Sequence, residues 1–213
     1  MKIETVRKIA GREEIDYQFL ISMLAEYACP RDKITEWLKS GDLIRIKKGL
    51  YIFGPEIAST PYSLEVLSNL IYGPSAISLQ YALAYYGFIP ERVTVVTSIT
   101  NKRNKSFVTP VGKFTYRYLS PTKYPVEIML ADHKQKKFLI ASPEKALCDH
   151  IYLTDKRIKL NSLDDIDKYL LYDLRIEETA LQSLHPKKLS MISKIYQDER
   201  LDLLANYIKK RKK

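Results

Sequence analysis

Two groups of side chains in this chain have the types and spacing that could hold a polyanion. Between Arg31 and Phe53 the sequence reads RDKITEWLKSGDLIRIKKGLYIF. Arg31 and Lys33 suit guanine edges, Thr35 tolerates several bases, and Lys39 shares their surface. Glu36 could accept from a cytosine amino group. A few residues on, Arg45, Lys47 and Lys48 cluster as phosphate contacts do, fixing register and releasing counterions without reading sequence. The second group is Lys102, Arg103, Lys105, Lys113 and Arg117. It lies in residues 100–137, where the cations are opposed only by Glu127 and Asp132. Most of the formal charge of +10 resides there, while the first 58 residues are near neutral. Such an excess suits a polyanion or an acidic partner.

Covalent and metal chemistry find less support. His133, His150 and His185 are scattered without metal-ligand spacing, and the seven glycines form no phosphate-cradling loop. Asp149 and His150 adjoin on a predicted helix, where neighbours point about 100° apart and cannot easily share a proton. Asp132-His133 reads as a turn. Ser142 precedes a proline at a helix start, which makes it a cap before a nucleophile. The sequence therefore predicts no catalytic residues, no metal, no cofactor and no enzyme. The 16 tyrosines could stack on bases, but more often such residues fill cores and interfaces.

The elements that must position these groups follow from periodicity. Ile34, Trp37 and Leu38 mark one apolar face of a helix over 31–40, which Gly41 ends. Leu43–Ile46 and Leu50–Phe53 are strand-like, and Lys47-Lys48-Gly49 supplies the turn of a hairpin. Helix, glycine, hairpin is the order of a recognition helix and wing, so residues 1–58 are predicted to be a winged helix-turn-helix. The same residues also suit a solvated helix beside an edge hairpin kept soluble by lysines. Upstream, Ile3, Val6 and Ile9 suggest a first helix, and Asp16 caps a second bearing Phe19, Leu20, Met23 and Leu24. Gly54-Pro55 and Thr60-Pro61 read as an exit linker.

Residues 59–213 are predicted to form a second, α+β domain. A helix starts at Tyr62, another runs from Gly73 through Tyr86, and strands cover Val93–Ile99, Phe114–Leu119, Val126–Leu130 and Phe138–Ala141. Their connections are too short for helical crossovers, so a mostly antiparallel sheet is expected. Ser142-Pro143-Glu144-Lys145 starts a helix strongly. Further helices are predicted after Ser162, over Arg175–Leu184, and as one last helix from Pro186 through Tyr207. The tail Lys209-Lys210-Arg211-Lys212-Lys213 reads as frayed and solubilising.

Hydrophobic residues at 46% and charged residues at 28% predict a globular protein with a real core. No apolar run reaches the ~18 residues of a membrane span, and the N-terminus is charged throughout. Cys29 and Cys148 are far apart, which fits a reduced cytoplasmic protein.

Taken together, KSGDLIRIKKGLYIF, GPSAISLQYALAYYGFIPERVTVVTSIT, VGKFTYRYL and IASPEKALCD resemble the AbiEi family, antitoxins of type IV toxin–antitoxin systems that are also described as transcriptional regulators. The resemblance covers roughly residues 30–153. It implies a winged-helix domain that binds inverted repeats in double-stranded DNA at its own promoter, with two copies on the DNA. It implies also an antitoxin C-terminal domain, and a co-encoded nucleotidyltransferase-like toxin whose direct contact is not required. The alternative from the residues alone is a nucleic-acid-processing enzyme or accessory protein whose basic 100–137 region holds the strand.

Overall fold

The computed structural model of the chain describes residues 1–154 and 157–212, so Lys213 of the basic tail lies outside the described residues. The chain opens with α1 (Ile3–Ala10), β1 (Glu14–Asp16), α2 (Tyr17–Met23), α3 (Pro30–Ser40), β2 (Leu43–Lys47) and β3 (Leu50–Phe53). The Asp16 side chain caps α2 by accepting from the Phe19 N–H at 2.8 Å. Pro30 takes the first turn of α3, and Gly41 ends it with φ +83°.

β3 is the middle strand of a three-stranded antiparallel sheet, between β1 and β2. Both of its faces are covered, which is why Leu50-Tyr51-Ile52-Phe53 contains no polar residue. Tyr51 and Phe53 join Ile3, Val6, Leu20, Ile34 and Trp37 in a small core. Leu50 and Ile52 alternate to the other face and join the large core that holds Leu67 and Ile71. The hairpin is therefore shared between two hydrophobic clusters rather than free at its edge.

The predicted linker is tied down. Burial alone would raise the Glu13 carboxyl, but bonds from Arg7 and Thr60 hold it below the usual carboxylate range. Arg7 Nε donates to both Glu13 oxygens at 3.0 Å, and the Thr60 N–H donates at 3.0 Å. Gly54 is the close-approach point: a Cβ there would sit 1.9 Å from the Gly41 carbonyl oxygen.

The rest is α+β. It runs α4 (Leu64–Ile71), β4 (Ser75–Ile77), α5 (Leu79–Tyr85), β5 (Val96–Thr100), β6 (Lys105–Thr109), β7 (Gly112–Tyr118), β8 (Ile128–His133) and β9 (Lys136–Ala141). Helices follow: α6 (Pro143–Leu153), α7 (Leu163–Lys168) with a π-helical turn (Tyr169–Asp173), α8 (Glu178–Ser183), α9 (Pro186–Tyr196) and α10 (Glu199–Arg211). The six strands are ordered β6-β7-β5-β4-β9-β8. α4 lies on one face, where Ser68 bonds Ser98 at 2.8 Å. On the other face the start of α5 lies against Thr97, whose hydroxyl donates to the Ser78 carbonyl at 2.8 Å.

Several expectations need correction. The sheet is mixed, because β5 pairs with β7 and β4 with β9 in parallel. No helix is needed between β5 and β7: β6 runs back along the far edge of β7 and returns the chain in the original direction. The helix expected from Gly73 is broken by β4 and by Leu79, whose φ is +60°. The single last helix is two, parted at Gln197 with φ +54°, after which Asp198 caps α10. The helix expected over Arg175–Leu184 spans only Glu178–Ser183. Asp132 and His133 end β8, and the turn falls on Lys134 and Gln135, both left-handed. Nor does the described part of the tail fray: α10 runs to Arg211, which bonds Glu178 at 2.9 Å and Asp167 at 3.1 Å.

Candidate nucleic-acid interface

On α3 the buried face is Ile34 and Trp37, and Arg31, Thr35, Glu36 and Lys39 are exposed. Not every polar group is free to read a base. Lys33 pairs with Glu36 at 2.7 Å and lies 5.7 Å from the Trp37 ring centroid. Thr35 Oγ1 donates to the Arg31 carbonyl at 2.9 Å, and Arg31 Nε donates to the Tyr17 hydroxyl at 3.1 Å. Lys39 and the remaining guanidinium donors of Arg31 are the open cationic groups of this face.

The hairpin departs from expectation at Lys47. Arg45 and Lys48 are exposed, but Lys47 is half-buried and its Nζ donates to the Ile71 carbonyl at the end of α4. The cause is local: the last carbonyls of a helix lack intrahelical partners and carry the negative end of the dipole. Lys102 Nζ donates to the Gly73 carbonyl in the same place. Burial, then Lys105, then Lys102, hold the Lys47 ammonium below the usual lysine range despite its bond.

Tyr72 is what allows these cations to gather. Lys102 Nζ lies 5.6 Å and Lys105 Nζ 5.5 Å from its ring centroid, and Lys105 is also 5.0 Å from that of Phe107. The Tyr72 hydroxyl donates to the Arg103 carbonyl at 3.3 Å, and Arg103 lines the adjoining depression with Lys102 and Tyr118. Two basic stretches some fifty residues apart in sequence thus meet at one place. Sequence reasoning missed Tyr72, since nothing local marks one tyrosine among so many.

The second predicted group does not stay together. Lys102, Arg103 and Lys105 gather around Tyr72, whereas strand alternation puts Lys113 and Arg117 on the opposite face of the sheet from Tyr116, whose hydroxyl bonds Ser68 on α4. Five cations within sixteen residues read as one surface in the sequence and are two.

The IASPEKALCD stretch is inward-facing. The Ser142 side chain caps α6 by accepting from the Lys145 N–H at 3.2 Å, and Glu144 accepts from the His185 N–H at 2.9 Å. Lys145 Nζ, fully buried, donates to Asp149 Oδ1 at 3.0 Å, to the Lys123 carbonyl at 3.1 Å and to the Tyr196 hydroxyl. Asp149 further accepts from Ser78 Oγ at 2.6 Å and from Tyr196. Burial, and then Asp149, push the Tyr196 phenol far up. Burial raises the Cys148 thiol and leaves it inert, while Cys29 is free and exposed. Among the described residues no cluster of three or more His, Cys, Asp or Glu could hold a metal, and no helix is long and apolar enough to cross a membrane.

No protein-family model and no curated protein matches the chain.

Proposed function

We propose that the chain binds duplex DNA through a winged helix-turn-helix in its first 58 residues, with α3 in the major groove and the β2–β3 hairpin as wing. The reading is supported by the order helix, strand, helix, helix, strand, strand, with β1 paired on β3. The exposed Arg31 and Lys39 supply base contacts, and Arg45 and Lys48 supply phosphate contacts. Lys47 acts differently: it straps the hairpin to α4.

The observation that carries the reading furthest is the meeting of the hairpin tip with Lys102 and Lys105 around Tyr72. It joins a near-neutral first domain to the charge it lacks, so that one phosphate backbone crosses both. The role is binding rather than catalysis. Autorepression at inverted repeats, and neutralisation of a co-encoded nucleotidyltransferase-like toxin, rest only on the resemblance of the sequence motifs to the AbiEi family. Selection of duplexes from a random pool tests the proposal: enrichment of an inverted repeat is expected, and recovery of no sequence above background would count against it.

A further inference from the structure

The sheet face away from α4 carries a row of hydroxyls. Register sets Ser106, Thr115 and Thr97 side by side across β6, β7 and β5, and alternation brings Arg117 to the same face. With Gln80 of α5 and His150 of α6 they line a cavity of about 540 Å³, within the size range of small-molecule sites. Thr97 is committed to α5, accepting from the Tyr81 N–H at 3.2 Å. The side chains of Ser106, Thr115, Gln80 and His150 have no hydrogen-bond partner among the described residues. Arg117 spends one donor on a long 3.4 Å bond to the Leu153 carbonyl, which leaves the rest of its fork open.

Charge and backbone narrow the ligand. Arg117 brings a planar guanidinium, the group suited to bidentate phosphate recognition, and two hydroxyls stand beside it. No carboxylate lies among the described lining residues. The cavity is far larger than a phosphate, so an organic group must accompany it. Burial pushes the His150 imidazole down to about 4, so at neutral pH it is uncharged and, like the Gln80 amide, can both donate and accept. Leu79 at the wall has φ +60°, a conformation that costs an aliphatic residue energy and that clusters at ligand sites.

We propose that this cavity binds a phosphate monoester of nucleotide size, the phosphate on Arg117, Ser106 and Thr115 and the organic part against Leu79, Gln80 and His150. Lys105 also lines the cavity, so the site borders the proposed DNA-binding surface, but the phosphate is held by Arg117, Ser106 and Thr115 on the other face of the sheet and neither reading depends on the other. Titration calorimetry of the full chain with AMP, adenosine and inorganic phosphate tests it. AMP should bind saturably, and the other two should bind about tenfold more weakly or worse, each having lost half of the contacts. Arg117→Gln should weaken AMP binding by about tenfold or more. Thr115→Val, which keeps the strand and removes one hydroxyl, should weaken it by less, and Lys48→Ala should leave it unchanged. Competition with a single-stranded oligonucleotide then separates the sources: displacement of AMP only when the strand bears a 5′-phosphate assigns a strand end, and no displacement by either form assigns the free nucleotide. Absence of AMP binding, binding equal to the parent in both cavity variants, or inorganic phosphate binding as tightly as AMP would overturn the proposal.

Discussion

Lys145→Met removes the cation at the centre of the buried α6 network, and its cost can be worked from the bonds. The Lys145 ammonium has no exposure, and its loss leaves the equally buried Asp149 carboxylate without its charge partner. Breaking such a pair from one side costs about 3–5 kcal/mol. The lower end applies here, because Ser78 and Tyr196 still donate to Asp149. For a chain of 213 residues each kcal/mol moves the melting temperature by about 2–4 °C, so about 3 kcal/mol becomes a fall of roughly 6–12 °C. Circular dichroism of thermal unfolding reads it directly. Lys145→Met with Asp149→Leu replaces both charges by apolar groups of similar size and should recover part of the loss, the Ser78 and Tyr196 hydroxyls having then lost their acceptor. A single variant that melts within about 2 °C of the parent, or a double variant worse than the single, would refute the reasoning.

Other expectations follow from single contacts. Gly54→Ala drives a Cβ into the Gly41 carbonyl and should cost about 3 kcal/mol, measured by urea unfolding. His150 is held down by burial, so the unfolded chain takes up its proton first: stability should fall as pH drops from 6.5 towards about 4, by roughly 3 kcal/mol over the whole window, and His150→Gln should flatten that part of the urea-derived profile. Lys47→Met trades a bond to the Ile71 carbonyl for relief of burial and of repulsion by Lys105 and Lys102. Its net cost at neutral pH should stay within about 1 kcal/mol by urea unfolding. The parent should also gain stability as pH rises towards 10.5 while the variant does not, because the unfolded lysine holds its proton more tightly.

Local signals in the sequence carried the caps and the hairpin. Asp16, Gly41, Ser142 and Ser162 each sit where predicted, because a cap depends on residues three or four apart. Long-range pairing was not legible. β4 is three residues long, and β6 reads Lys-Ser-Phe-Val-Thr with no residue fully buried, so neither announces itself. Without β6 the parallel pairing of β5 with β7 has no visible connection. The candidate site divided in the same way. Arg45 and Lys48 face solvent as expected of phosphate contacts, but the capture of Lys47 by the end of α4 depends on how the hairpin packs on a segment more than twenty residues away. The split of Lys102 and Lys105 from Lys113 and Arg117 is set by register, which charge density along the chain does not encode.

The central claim is that hairpin and loop cations meet one DNA backbone together, and the salt dependence of duplex binding tests it most directly. Fluorescence anisotropy of the full chain across a series of salt concentrations gives the slope of log affinity on log salt, to which each phosphate contact contributes about 0.9. Lys48→Ala and Lys105→Ala should each flatten the slope by about that much, and the double variant by about twice as much. Salt-independent binding by the parent, or a Lys105→Ala slope equal to the parent's where Lys48→Ala has flattened, would contradict the account.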